Sequence, residues 1–333
     1  MDNLTHSLVG LMLARVGLNR LGPGATALVI VGANLPDIDV VTAIAGRLSY
    51  LEYHRGWTHS FALAPVLALL CLPVWWLCTR KRCTGWKSFG CAWLAVFAGI
   101  LSHLLLDVLN TYGIRFLLPF SSGWYRLDWV YIVDLWIWAI LLIGTLGPLL
   151  VRLVDSEIGA RRGPGRSGAW VVLLVLCGFL ALRAMWHAQA VATLESRMYD
   201  TRAPLRAAAM PRPFAPWRWT GLVETGKAWH VVPVDLLGEF DPDAGRMLLK
   251  PEQRLKQEAA IRASQTGRIF LQFTRFPYWR AVPSPNVEGG TNVRISDLRF
   301  GLPDEAPFSA WFEFDAAGRL VGEGLGGLGG NDR

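Results

Sequence analysis

Charge is scarce in this sequence. Of its 333 residues, 18% are Asp, Glu, Lys or Arg and 52% are hydrophobic, with a mean hydropathy of +0.31. Soluble globular chains carry about 25% charged residues, so an ordinary water-soluble globule is excluded, as are disordered and collagen-like chains. Cysteine is also sparse. Five residues, at 71, 78, 83, 91 and 177, form no C-x-x-C pair, and none falls in the last 145 positions. That excludes a disulfide framework and a thiolate zinc site. No H-E-x-x-H is present, which argues against a zincin-type metalloprotease. The start, Met1-Asp2-Asn3, lacks a basic n-region and no small-residue cleavage site follows, so the expectation is that no leader is removed and His6 is retained.

The little charge there is lies unevenly. Residues 1–188 hold 15 Lys+Arg against 9 Asp+Glu, a net +6, and residues 189–333 hold 18 against 17, a net +1. The expected organisation is therefore an embedded part, 1–188, and a water-exposed part, 189–333. A span needs about 20 apolar residues. Four windows approach this: Phe61–Thr79, Ser88–Leu109, Trp129–Val151 and Gly168–His187. Leu4–Asn19 and Leu21–Gly46 are too short or too interrupted, by Pro36, Asp37 and Asp39, and are expected as short helices buried against the bundle or re-entering it. The basic residues of the embedded part cluster in Arg80–Lys87 and Arg152–Ser167, which places those loops in the cytoplasm by the positive-inside rule. Basic residues in short loops between spans mark topology, not phosphate-backbone binding, so no nucleic-acid partner is expected. The residues after 188 read as a small β-rich domain on the outer side, with 268–276 and 308–314 as strand candidates and a disordered Gly-rich tail at 322–330. Its lone His230 reads as structural.

Five of six histidines lie in the embedded part, and four of these stand in polar clusters. Ionisable groups in such a setting are expensive, and each is a functional hypothesis by default. His103 and Asp107 are four apart on one helix face, with Asn110 continuing the stripe; taken alone the pair serves a proton relay as well as a metal. His54-Arg-Gly-Trp-Thr-His59 places two imidazoles and a guanidinium within six residues. That combination suits a first-row metal beside an anionic substrate, with Arg55 as a planar fork for phosphate. Asn34-Leu-Pro-Asp37-Ile-Asp39 supplies two carboxylates that would share a face in an extended segment. Asp134 opens a later span, either orienting a ligating histidine or capping its helix. With the cytoplasmic loops set as above, these groups all fall at the outer ends of the spans.

The series Met1-Asp-Asn-Leu-Thr-His6, Asn34-Leu-Pro-Asp37-Ile-Asp39, His54-Arg-Gly-Trp-Thr-His59-Ser60 and His103-Leu-Leu-Leu-Asp107 resembles the membrane-bound metal-dependent hydrolases of the YdjM-like and YbcI-like inner-membrane type, over roughly residues 1–150. That family is distantly similar to zinc-dependent phospholipase C and the P1-type nucleases. With the apolar windows, the resemblance leads to the expectation of an all-α polytopic membrane bundle in the bacterial inner membrane, followed here by the small β-rich domain; the periplasmic side of the site follows from the loop charges, not from the resemblance. The resemblance implies two or more divalent ions, Zn²⁺ first and Mn²⁺ or Mg²⁺ as alternatives, held by His6, Asp37, Asp39, His54, His59, His103 and Asp107. His6 would stand in for the mature N-terminal ligand of the soluble enzymes. Arg55, Asp37 and His54 would carry catalysis, and Asn34, Asn110 and Asp134 would orient ligands. The implied substrate is a phosphoester of a membrane lipid or lipid-linked molecule. Two other classes remain open from sequence: a proton-coupled transporter relaying through His103, Asp107 and Asp134, and a non-catalytic scaffold whose outer domain binds a partner. The oligomeric state is left open.

Overall fold

The computed structural model describes residues 1–79, 85–157, 166–251, 255–304 and 308–326. Two compact units make up the chain. The first comprises Met1–Asp39, Arg55–Ala188 and Pro211–Trp217; the second comprises Val40–His54, Gln189–Met210 and Arg218–Arg333. The division expected at 188/189 is thus crossed by two short segments, 40–54 and 211–217.

The first unit is helical. Helix α1 (Asn3–Val16) starts where the Asp2 carboxylate accepts the Thr5 amide at 3.0 Å, a side-chain N-cap. Helix α2 (Ala25–Gly32) is followed by a 3₁₀ stretch, Leu35–Ala45, because Pro36 cannot continue an α-helical ladder. Helix α3 (Arg47–Tyr53) belongs to the second unit. The expected span at 61–79 is instead two short helices, α4 (Ala64–Leu69) and α5 (Leu72–Thr79). Pro65 and Pro73 each sit in a first helical turn, where proline starts a helix and does not extend one. Helix α6 (Trp86–Val108) is the long central element, and α8 (Arg166–Glu195) is the second helix long and apolar enough to cross a membrane. Between them α7 runs Leu135–Glu157, starting six residues after the expected Trp129. The cause is local: Asp134 Oδ1 accepts the amides of Trp136 and Ile137 at 3.0 and 3.3 Å and fixes the helix start. The arginine-bearing loops used to orient the chain lie largely outside the described residues, at 80–84 and 158–165.

Two apolar clusters hold this unit. Val29, Ala95, Val96 and Ile100 centre one on α2 and α6; Val9, Met12, Ile137 and Leu141 centre the other on α1 and α7. Helices α2 and α6 cross at glycines. A Cβ on Gly32 would lie 2.2 Å from the Val96 carbonyl oxygen, and one on Gly99 would lie 2.3 Å from that of Val29. Only glycine permits this approach.

The second unit carries two four-stranded antiparallel sheets. The first is β1 (Arg206–Pro211), β2 (Arg218–Glu224), β3 (Ala228–Asp235) and β4 (Arg246–Leu249); the second is β5 (Pro277–Pro283), β6 (Thr291–Asp297), β7 (Ser309–Phe314) and β8 (Leu320–Gly326), each in chain order. Met210, Leu222, Trp229, Phe276 and Leu298 share one core. His230 pairs with Asp200 at 3.3 Å.

Two expectations for this unit need correction. Residues 268–276 lie mostly in helix α10 (Gln265–Phe273), which follows the short α9 (Glu258–Ala263). The burial of Thr266, Gly267, Phe270 and Phe273 has helical period, and the Ser264 hydroxyl accepts the Gly267 amide at 3.1 Å. The start of the Gly-rich tail, through Gly326, is strand β8, and 327–333 lie outside the described residues. We expect Ser264→Ala to cost about 1 kcal/mol through loss of the cap. Thermal melting in detergent should show a midpoint lowered by about 2–4 °C.

Candidate metal centre

Four side chains from three elements meet in the first unit: Asp37 from the 3₁₀ stretch, His59 from the turn before α4, and His103 and Asp107 from α6. All four ligand atoms lie within 4.8 Å of one another. The two histidines face each other through Nε2 at 3.1 Å. His59 Nε2 is 3.4 Å from Asp37 Oδ1 and 3.5 Å from Asp107 Oδ2; His103 Nε2 is 3.6 and 3.4 Å from the same two oxygens. Asp107 Oδ2 is buried without a hydrogen bond.

The local sequence explains the convergence. His103 and Asp107 are one turn apart on a continuous helix. Asp37 and His59 both stand at or beside breaks between apolar helical segments, Ala25–Gly32 with Leu35–Ala45 and Arg47–His59 with Ala64–Thr79, each pair of which would together be long enough for a span. Irregular backbone at membrane depth is tolerated where it is buried in protein or lines a cavity.

The surrounding partners fix the chemistry of the imidazoles. His103 Nδ1 lies 2.7 Å from the Ala33 carbonyl, which can only accept, so Nδ1 carries the proton. His59 Nδ1 lies 3.2 Å from Asp39 Oδ2, and the Thr58 hydroxyl donates to that same oxygen at 2.9 Å. In the neutral rings both Nε2 lone pairs then point into the cluster. Asp37 and Asp39 do not share a face. The 3₁₀ backbone turns them apart, so that one addresses Nε2 of His59 and the other Nδ1. We expect Asp39→Asn to weaken metal binding by roughly 10–100-fold, as loss of such an outer partner does; competition with a chelating dye measures it.

The remaining expected residues take distinct places. His6 is fully buried, stacks on His103 with ring centroids 3.8 Å apart, has no hydrogen bond to either ring nitrogen, and sets Nε2 3.4 Å from Asp107 Oδ1. The Met1 amino nitrogen lies against that same oxygen. Arg55 has a left-handed backbone, φ 55°, held by its amide donating to Asp39 at 2.8 Å. Its Nη1 lies 3.3 Å from both Asp107 Oδ2 and Asn110 Oδ1, and its guanidinium lies over the Tyr112 ring. Asn110 Oδ1 accepts the amides of Tyr112 and Gly113, turning the chain after α6. Asn34 donates to Ser7 and to the Ile30 carbonyl and so ties α1 to α2. Asp134 caps α7. His54 stacks on Tyr50 at 4.4 Å and is not one of the four converging residues. Sequence alone assigns no role to Thr58 or to the Ala33 carbonyl. Thr58 was visible beside His59, whereas a backbone oxygen leaves no trace in a sequence.

Among known proteins, an uncharacterized protein of Bacillus subtilis (strain 168), YfhP, is 26% identical over 331 residues, covering 93% of this chain and 90% of its own. The inner membrane protein YbcI of Escherichia coli (strain K12) is 32% identical over 133 residues, 38% of this chain and 72% of that protein. No solved structure matches. Residues 1–190, the stretch that contains every residue of the cluster, match the YdjM inner membrane protein family, and the chain belongs to that family.

Proposed function

We propose that this protein is a membrane-embedded metal-dependent hydrolase acting on a phosphoester of a lipid or lipid-linked molecule. The observation that carries the reading is the spacing of the four ligand atoms. Zn²⁺ bonds of ~2.0–2.1 Å suit ligand atoms about 3.3–3.4 Å apart, and a hydrolytic ion held by all four residues would need a fifth position for water. Five of the six separations in the cluster fall between 3.1 and 3.6 Å. Two imidazole nitrogens and two carboxylate oxygens at such distances repel one another unless a metal ion or a proton lies among them, and the spacing suits the metal ion. Mixed nitrogen and oxygen donors suit Zn²⁺ or Mn²⁺ better than Mg²⁺ or Ca²⁺, which favour all-oxygen cages.

Asp37, His59, His103 and Asp107 would hold the ion, with Asp39 and the Ala33 carbonyl aiming the two rings. His6 and Asp107 Oδ1, with the Met1 amino nitrogen beside them, would offer a position for a second ion. When bound, the metal supplies Lewis acidity, lowering the pKa of a water towards ~7 and polarising a phosphoryl oxygen. Arg55 offsets the Asp107 charge, and Asn110 holds that guanidinium in place. The enclosed cluster excludes bulk water, which strengthens every charge interaction in it. Placement on the periplasmic side of a multi-pass bundle is part of this proposal, and rests on the arginine-bearing loops.

The test is hydrolysis by detergent-purified protein. Phosphate release from a phosphomonoester lipid that chelation abolishes and Zn²⁺ restores is the expected result. A well-folded protein that binds no divalent metal when offered it, and whose cellular role survives replacement of His59 and Asp107, would instead be a scaffold.

A further inference from the structure

The four ligand residues differ in access. His59, His103 and Asp107 are fully enclosed, and only the Asp37 side chain, 17% exposed, reaches the surface. A substrate therefore approaches past Asp37. The two segments that supply Asp37 and His59 share a pattern of polar groups inward and large apolar groups outward. Ile38 stands between two inward carboxylates and is 50% exposed. Trp57 and Phe61 bracket Thr58, His59 and Ser60 and are 49% and 59% exposed. Each such side chain left in water forfeits about 25 cal/mol per Å² of apolar surface, and grouped exposure of this kind marks a membrane or ligand contact. The surrounding surface has the same character. Val31 in α2, the other half of Asp37's broken pair, and Leu105 on α6, which is long and apolar enough to cross a membrane, are also exposed.

We propose that the site opens sideways into the bilayer past Asp37, and that Ile38, Trp57 and Phe61 receive the hydrocarbon chain of an amphiphilic substrate whose anionic head reaches the cluster. They would be specificity-determining residues, favouring chain-bearing phosphoesters over water-soluble ones. The word substrate rests on the hydrolase reading; the lipid-facing mouth stands without it.

Two measurements test the proposal separately. In a background with all five cysteines replaced by serine, nitroxides at Ile38→Cys and Phe61→Cys are compared in phosphatidylcholine–phosphatidylglycerol vesicles for relaxation by oxygen, which partitions into lipid, and by a water-soluble nickel chelate. Both positions should favour oxygen, and Leu237→Cys on the second unit should favour nickel. Nickel-dominated relaxation at both positions overturns the sideways mouth. Should the cysteine-free protein fail to fold, a photo-activated benzophenone amino acid at position 61 of the otherwise native chain gives the same answer: a lipid adduct supports the proposal, and its absence after full photolysis overturns it. In the second measurement, Ile38→Ser and Phe61→Ser together should raise KM for dioleoyl phosphatidic acid about tenfold or more, with KM for p-nitrophenyl phosphate unchanged. Equal changes for both substrates overturn the specificity role. Absence of turnover with either substrate by the wild type removes the hydrolase reading, and the nitroxide result still decides the mouth.

Discussion

His59→Ala and His103→Ala, purified in detergent and offered Zn²⁺, are expected to bind it more than about 100-fold more weakly than the wild type, whereas His54→Ala keeps its affinity. The bound is set by comparison: loss of a hydrogen-bonding partner behind a ligand costs roughly 10–100-fold, and loss of the ligand itself costs more. His54 lies five residues before His59 and stacks on Tyr50. The contrast thus separates the converging set from a merely histidine-rich segment. Metal content by mass spectrometry and affinity by chelator competition read the result. Equal loss in all three variants would return His54 to the site. Loss in none would remove the metal and leave the cluster to a proton relay, in which imidazoles act without an ion. His6→Ala discriminates further. With one ion in the four-residue cluster, that variant keeps the first metal and loses only a second.

Much of this cluster is legible in the sequence, and the residues show why. His103 and Asp107 are joined by helical periodicity alone, so their shared face follows from numbering. His59 and Asp37 stand out because charge is scarce around them. The sequence could not reveal which nitrogen of His59 faces which aspartate, because that depends on whether 36–39 is extended or 3₁₀. An extended chain puts Asp37 and Asp39 side by side; the 3₁₀ turn after Pro36 places them on opposite sides of one ring. His54 is close to His59 along the chain, but the four converging residues are Asp37, His59, His103 and Asp107, and the backbone between the two histidines passes through the left-handed Arg55. In the second unit, strand β7 covers most of 308–314, whereas 268–276 is largely helical. Apolar residues at 270 and 273 satisfy both a loose alternation and a helical period, and Ser264, the cap that decides between them, lies upstream of that run.

Gly99→Ala is expected to lower stability by about 1–3 kcal/mol, the range for forcing extra atoms into a packed contact, and to weaken metal binding at the same time. The argument turns on sign. Replacing a helical glycine by alanine ordinarily stabilises by up to about 1 kcal/mol. Gly90→Ala, on the same helix with nothing within 4 Å of its new Cβ, should therefore keep or raise the melting temperature. At Gly99 the added Cβ would lie 2.3 Å from the Val29 carbonyl oxygen and 2.7 Å from the Ala33 nitrogen, all of it backbone that cannot rotate away. Helices α2 and α6 must then separate. Ala33 is also the residue whose carbonyl holds His103 at 2.7 Å, and His103 is one turn along α6 from Gly99. Separation therefore withdraws the group that orients a ligand, which predicts a loss of metal affinity of roughly 10–100-fold in the fraction that remains folded. Gly99→Leu, with three further carbons to place, should leave little monodisperse protein after size exclusion. A Gly99→Ala protein that melts like Gly90→Ala and binds metal like the wild type would show that the two helices do not meet at this glycine, and that the Ala33–His103 contact does not set the ring.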